Sequence, residues 1–226
     1  MSLSVVTNED NMAMMARYPD KFFDLAIVDP PYGINIAKRN GSIGQKKGQG
    51  KITRYKSKEW DSAIPNADYW QELFRVSKNQ IVWGGNYFSE FLPPSMSWVI
   101  WDKRQPEGVT FAMAELAWTS FNESVKMFSV SRAKMQNCVS NNAKIGKVYA
   151  KIHPTQKPVD LYKWLLKRYG KEGDKVLDTH IGSQNSRIAA HDMGFDFYGC
   201  EADEDYFADG CASFERHIQQ LTIFQL

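Results

Sequence analysis

The segment Asp174–Glu201, DKVLDTHIGSQNSRIAAHDMGFDFYGCE, constrains the fold more than any other part of the chain. Lys175–Asp178 reads as a short buried strand. A turn around Gly182 follows, then a helix over Ser183–Met193 that Gly194 ends, then a strand over Phe195–Cys200 that runs into Glu201. Strand, turn, helix and strand make the unit of a doubly wound sheet, where ligands sit beyond the carboxyl ends of the strands. The first strand ends on Asp178. Glu201, an acid about 20 residues past the turn, is placed for the two hydroxyls of a ribose. A dinucleotide site would carry G-x-G-x-x-G against a pyrophosphate. Here the turn is Gly182-Ser183-Gln184-Asn185, with a single glycine. That favours a nucleoside ligand without a pyrophosphate, of which S-adenosylmethionine is the usual one. An acid at each strand end would also serve merely to cap the next helix.

The rest of the chain repeats the alternation. Ser4–Val6 is β-like and leads through Thr7-Asn8-Glu9-Asp10 into a methionine-rich helical stretch. Leu25–Val28 is an apolar strand flanked by acids. Asp68–Val76 carries Tyr69, Leu73, Phe74 and Val76 at helical spacing. Gln80–Trp83 reads as a strand stopped by Gly84-Gly85, with further strands at Ser97–Trp101 and Leu116–Thr119. Pro158 suits the first turn of a helix through Tyr169, and Asp203–Leu221 is a final amphipathic helix with acids in its first turn. Strands alternating with helices predict a mostly parallel sheet with both faces covered. Gly33–Lys58, with four further glycines, and Ser120–Lys151, polar and basic, read as irregular.

At 226 residues the chain suits one large α/β domain or two small ones. No apolar run approaches a membrane span and no secretory signal precedes the first strand. Cys138, Cys200 and Cys211 are too few and too scattered for a disulfide framework or a zinc site. They read as reduced thiols of a cytoplasmic protein, and no metal is expected. The net charge is only +2, but it is segregated. Ile36–Lys58 holds Lys38, Arg39, Lys46, Lys47, Lys51 and Arg54 with no acid, and Ser124–Lys157 holds Lys126, Arg132 and Lys134, again with no acid. Segregation of this kind fits a face for a polyanion. Two solvated loops are the other reading.

The stretch DLAIVDPPYGI, Asp24–Ile34, ends an apolar run on Asp29, then Pro30, Pro31 and Tyr32. With VLDTHIGSQNS and HPTQKPVDLYKWLL it resembles the beta group of DNA amino-methyltransferases, which modify exocyclic amines of DNA bases, and VWGGNYF and SWVIWDK resemble later strands of their short, phage-type members. The motif order here is DPPY, then HPTQKP, then the cofactor segment, which is that group's permuted order. The resemblance spans nearly the whole chain. It implies a Rossmann-like α/β methyltransferase fold, a seven-stranded mostly parallel sheet with helices on both faces, as a single domain over residues 1–226. Loops 33–58 and 126–151 would contact DNA.

The resemblance also implies roles. The amine of a base is conjugated with its ring and must be drawn toward tetrahedral geometry before it can attack a methyl group. Asp29 would accept one amine hydrogen and the Pro30 carbonyl the other, kept aimed by the stiffness of Pro30 and Pro31. Tyr32 would stack an extruded base, so base flipping is implied. Asp178, His180, Gly182 and Ser183 would form the turn against S-adenosylmethionine, with His180 as a packing replacement. Glu201 would bind the ribose hydroxyls, Asp10 would lie near the cofactor's adenine amino group, and Lys157 would hold the cofactor carboxylate or orient its own loop. The chain departs from the family pattern at Thr179 and His180, usually proline and phenylalanine, and at Gln184, usually glycine. Lys38, Arg39, Lys46, Lys47, Lys51, Arg54, Arg132 and Lys134 would meet double-stranded DNA, with a homodimer also compatible. Aspartate at the first motif position resembles adenine-N6 enzymes more than cytosine-N4 enzymes, where serine is common. The alternatives are N4-cytosine methylation, or a methyltransferase-like DNA-binding protein of weak activity. A bacterial, prophage or phage protein of the restriction–modification type is expected.

Overall fold

The computed structural model describes residues 2–35, 60–105, 107–108, 112–130, 152–153 and 155–224. Among them the elements run β1 (Ser4–Asn8), α1 (Asn11–Met15), β2 (Phe23–Val28), α2 (Ala67–Val76), β3 (Ser77–Trp83), β4 (Trp98–Asp102), β5 (Ala114–Thr119), β6 (Lys126–Ser129), α3 (Val159–Tyr169), β7 (Lys175–Asp178), α4 (Asn185–Asp192), β8 (Asp196–Glu201) and α5 (Glu204–Phe224). The strands form one sheet in the order β1-β8-β7-β2-β3-β5-β4-β6. Only the two pairings of β5 are antiparallel; the others are parallel.

The apolar pattern shows why the sheet is covered on both sides. In β2, Leu25 and Ile27 join a core with Leu161, Leu165 and Leu166 of α3. Ala26 and Val28 point the other way, into a core with Met14 and Met15 of α1 and Tyr69, Trp70 and Leu73 of α2. The same split recurs at Val176 and Leu177 in β7, and at Phe197 and Tyr198 in β8. A continuous apolar run is therefore two alternating faces. Caps fix where the helices start. Asp10 Oδ1 accepts from the amides of Met12 and Ala13, and Asn66 Oδ1 accepts from Tyr69 N. None of the described helices is long and apolar enough to cross a membrane.

The expected elements are present, and β1-β8-β7 lie side by side, so the N-terminal strand completes the half that carries the Asp178–Glu201 unit. One element goes beyond the expectation. The sheet has an eighth strand, β6, inside the stretch read as irregular. It is an edge strand of four residues, KMFS, without an apolar run, and pattern alone cannot reveal it. Parallel pairing with β4 holds it, from Val99 opposite Lys126 to Asp102 opposite Ser129, and Ser129 Oγ donates to Asp102 Oδ2 at 2.9 Å. Likewise β3 begins three residues before Gln80, because polar Ser77–Asn79 are held by pairing with β2 rather than by burial of an apolar face.

Candidate active site

The carboxyl ends of β2, β3 and β7 meet the start of β5, which runs antiparallel and so begins where the others finish. Asp29 stands one residue past β2. Its Oδ1 accepts from the Tyr32 hydroxyl at 2.6 Å, and its Oδ2 accepts from the Lys157 ammonium. The chain after the two prolines is pinned by Asp61, whose buried carboxylate accepts from Tyr32 N at 2.8 Å and Gly33 N at 2.9 Å. Gly84 ends β3 in a left-handed conformation (φ +71°), and a Cβ there would lie 2.2 Å from the Tyr32 ring, so only glycine lets the ring sit down. The ring then stacks on Tyr87, centroids 4.8 Å apart and planes 14° apart. Tyr87 is exposed. Tyr32 thus has a second task besides offering a ring: its hydroxyl orients Asp29.

Lys157 is almost fully enclosed. Its ammonium lies between Asp29 and Glu115, whose Oε2 is 3.2 Å away, and Glu115 Oε1 meets Lys103 at 2.5 Å. The rings of Trp83 and Tyr32 flank the ammonium with centroids at 5.3 and 5.9 Å. Burial pushes the Asp29 carboxyl upward, against the pull of Lys157. Burial pushes Glu115 up as well, but Lys157 and Lys103 outweigh it and hold it below its ordinary value. Burial opposes the charge on Lys157, yet Asp29 and Glu115 together keep it above the usual lysine range. Two acids and two lysines alternate, so the cluster is neutral as a whole.

The Asp178–Glu201 turn lies beside β2, with Ala26 opposite Leu177 in the register. Asp178 is buried and accepts from Ser186 Oγ at 2.6 Å and His180 N at 3.0 Å. Burial nevertheless raises it to about 7. Gly182 takes a positive φ (+43°), and a Cβ there would rest against the His153 ring at 3.7 Å. Glu201 Oε2 accepts from Gly182 N at 2.9 Å and Oε1 from Asp203 N at 3.0 Å. Ser183 is buried in the same turn. His180 has Asn11 Nδ2 at 3.1 Å from Nε2 and Thr179 Oγ1 at 2.9 Å from Nδ1, and Thr179 meets Tyr69 at 2.8 Å. Burial pulls His180 down to about 4, so it is a neutral packing residue.

Gln184 resolves the departure from glycine. It takes the left-handed conformation that glycine adopts easily (φ +59°). Its side chain runs toward α5, where Nε2 donates to Phe207 O at 3.2 Å and Oε1 accepts from Arg187 at 2.8 Å. Gly210 makes room: a Cβ there would lie 2.7 Å from Gln184 Cγ.

The structure therefore gathers Asp29, Pro30, Pro31, Tyr32 and Lys157 in one cluster, and Asp178, His180, Gly182, Ser183 and Glu201 in its neighbour. Asp10 is the cap of α1. Lys157 faces Asp29 and Glu115, while its carbonyl accepts from Asn185 Nδ2 at 2.6 Å, which fits the role of orienting its loop. Lys38, Arg39, Lys46, Lys47, Lys51, Arg54, Arg132 and Lys134 lie outside the described residues. Sequence reasoning missed Asp61, Tyr87, Glu115, Lys103 and Asn185. Glu115 carried a signal, an acid at the head of an apolar strand. Among the described residues one cluster has metal-ligand spacing, His191, Asp192 and His217. Asp192 already meets Lys163 at 2.6 Å and His217 Nε2 at 2.5 Å, which makes the cluster a polar tie between α3, α4 and α5.

The chain is 22% identical to the Type II methyltransferase M2.DpnII of Streptococcus pneumoniae, over 89% of this chain and 86% of that one. It shares the fold of M1.HpyAVI in its SAM complex (TM-score 0.57, 14% identity, covering 93% of this chain and 99% of that one). It also shares the fold of the cytosine-N4-specific PvuII DNA methyltransferase (TM-score 0.59, 14% identity, covering 94% and 87%). Residues 81–211, more than half of the chain, match the DNA methylase family of N6 and N4 methyltransferases; the match takes in Lys157 and the whole Asp178–Glu201 unit and begins downstream of Asp29. The chain belongs to the DNA methylase family.

Proposed function

We propose that the chain transfers a methyl group from S-adenosylmethionine to the N6 amine of adenine in DNA, as a modification enzyme of the restriction–modification kind. The observation that carries the reading is the placement of Asp29, an acceptor fixed at the mouth of β2 by Lys157 and the Tyr32 hydroxyl, one strand from the Asp178–Gly182 turn.

The residues at that turn fit the cofactor. Gly182 takes the positive φ that the tight turn needs (φ +43°). The Glu201 carboxylate is held at the end of β8 by the amides of Gly182 and Asp203, where the ribose would lie. Gln184 turns away toward α5. When bound, the cofactor supplies a methyl group on a positively charged sulfur. Asp29 accepts one hydrogen of the target amine and the Pro30 carbonyl the other, which localises the nitrogen lone pair. After transfer the amine carries one proton too many, and Asp29 Oδ2 takes it. Burial favours this, because it makes the carboxylate a stronger base than one in water. Tyr32, stacked on the exposed Tyr87, extends a two-ring surface toward the base. The basic segments around Lys46 and Arg132 supply the phosphate contacts.

Adenine is favoured over cytosine by the aspartate at position 29. The fold itself does not choose, since it is shared with a cytosine-N4-specific enzyme. Incubation with methyl-labelled cofactor and duplex DNA, followed by digestion to nucleosides, should place the label in N6-methyladenine. Label in N4-methylcytosine would replace adenine by cytosine. Absence of label with intact DNA binding would leave a binding protein without activity.

A further inference from the structure

Once Asp29 Oδ2 takes the proton of the target amine, the Lys157 ammonium that it held loses its charged partner. Lys157 cannot turn to water, because its side chain is only 1% exposed and walled by Trp83 and Tyr32. We propose that Glu115 is a positioning residue for methyl transfer: it offers Lys157 a second seat, so that Asp29 can engage the amine without stranding a buried cation. The proposal rests on the reading that Asp29 accepts the amine.

The seat is already built. Glu115 Oε2 is 3.2 Å from the ammonium, a distance that a small rotation of the lysine closes. Glu115 Oε1 is held by Lys103 at 2.5 Å, which keeps the carboxylate from following Lys157 toward Asp29. The fold explains the arrangement. Because β5 is antiparallel, its second residue lies at the edge where the parallel strands end. Register with β4 sets Glu115 opposite Trp101, two residues before Lys103. The backbone fixes the lysine further, for Lys103 N donates to Met113 O at 3.0 Å. The ammonium thus moves between two fixed carboxylates, and the net charge of the pocket stays constant as the amine arrives. In a water-poor site this matters, since unbalanced charge is most costly there.

The test uses opposite substitutions. The charged and titratable groups around Lys157 are Asp29 and Tyr32 after β2, Lys103 after β4, Glu115 on β5, Tyr162 on α3 and Asp178 at the end of β7. The negative charge of Glu115 raises both Asp29 and Lys157. Glu115→Gln should therefore move the acid limb and the alkaline limb of the kcat/KM profile to lower pH, each by about half a unit or more. Lys103→Met, which leaves Glu115 less compensated, should move both limbs upward. Glu115→Gln should also lower kcat by about tenfold or more with little change in KM for DNA, the signature of a contribution made in the transition state. Limbs that stay in place in both variants, or that move in the same direction, would overturn the proposal. Carboxyl NMR titration of Asp29 in the cofactor-free protein gives the same decision without turnover: opposite displacements in the two variants support it, and an unmoved Asp29 rejects it. Wild-type protein that methylates no DNA would sink the proposed function, while the NMR titration still judges the Glu115–Lys157 link. Thermal melting identifies a variant that fails to fold, and the other variant then carries the comparison.

Discussion

Replacing Asp29 by alanine should separate the chemistry from the stability of the sheet. Removing one partner of a buried ion pair costs about 3–5 kcal/mol when the other charge is stranded. Lys157 is not stranded, because Glu115 lies 3.2 Å from it. The loss reduces to that of two hydrogen bonds to the carboxylate, from Lys157 and from the Tyr32 hydroxyl, about 3–6 kcal/mol together. For a chain of this size that lowers Tm by roughly 6–24 °C. The strand itself survives, since Leu25–Val28 remain buried and the substitution lies beyond them. Turnover should suffer more. A single preorganised group aimed at a transition state is worth about 10²–10³ in rate. Single-turnover methyl transfer at saturating cofactor should thus fall at least about a hundredfold. DNA affinity should hold or rise, because an acid near the phosphates is gone. A rate near that of the wild type would refute the role of Asp29. A Tm drop well beyond about 24 °C would refute the claim that Glu115 keeps Lys157 paired.

Glu201→Ala removes the acceptor for Gly182 N and Asp203 N as well as the proposed ribose contact, and calorimetry should show at least about a tenfold loss of cofactor affinity; equal affinity would take Glu201 out of the site. Asp178 is raised to about 7 in the folded protein by burial, so its share of stability is full below its unfolded value, about 3.9, and is lost as pH rises through about 7. Urea melts of the cofactor-free protein should show that decline, and Asp178→Asn should flatten it; an unchanged slope rejects the assignment. Neutralising Lys46, Lys47 and Lys51 together should weaken DNA binding and reduce its log–log salt slope by about 0.9 per lost phosphate contact, with cofactor affinity unchanged. A constant slope would make the segment a solvated insertion.

Much of this fold is legible in the chain because its parallel strands are apolar and short, and its helices begin and end on recognisable residues. The strand Lys175–Asp178 falls where the sequence puts it, and α2 begins one residue earlier than its apolar spacing indicates. What escapes is whatever depends on partners distant in sequence. β6 exists through its register with β4 rather than through its own composition. Glu115 and Lys103 become neighbours of Asp29 only because β5 is inserted antiparallel between β3 and β4. Asp61 holds the backbone after Pro31 from far along the chain, with no local signal. DPPY announces an acid at a strand end, but not that the tyrosine hydroxyl would orient it.

The departures at the cofactor turn can be judged by where each side chain goes. Thr179 and His180 replace an apolar pair, yet they are absorbed in a chain of contacts from Asn11 through His180 and Thr179 to Tyr69, which ties α1 and α2 beneath the turn. Gln184 adds bulk, but on the α5 side, against Gly210. The residues that look toward the other cluster are different. Asn185, the first residue of α4, holds the Lys157 carbonyl at 2.6 Å, and the Lys157 ammonium holds Asp29. The His153 ring, four residues before Lys157, covers Gly182. Lys157 and His153 therefore form a strut between the Gly182 turn and Asp29. A change that displaced α4 toward its N-terminus would carry Lys157 with it and misalign Asp29, whereas the changes at Thr179, His180 and Gln184 fall on the faces of the turn away from that strut. The sequence has departed from the family pattern where the strut does not pass.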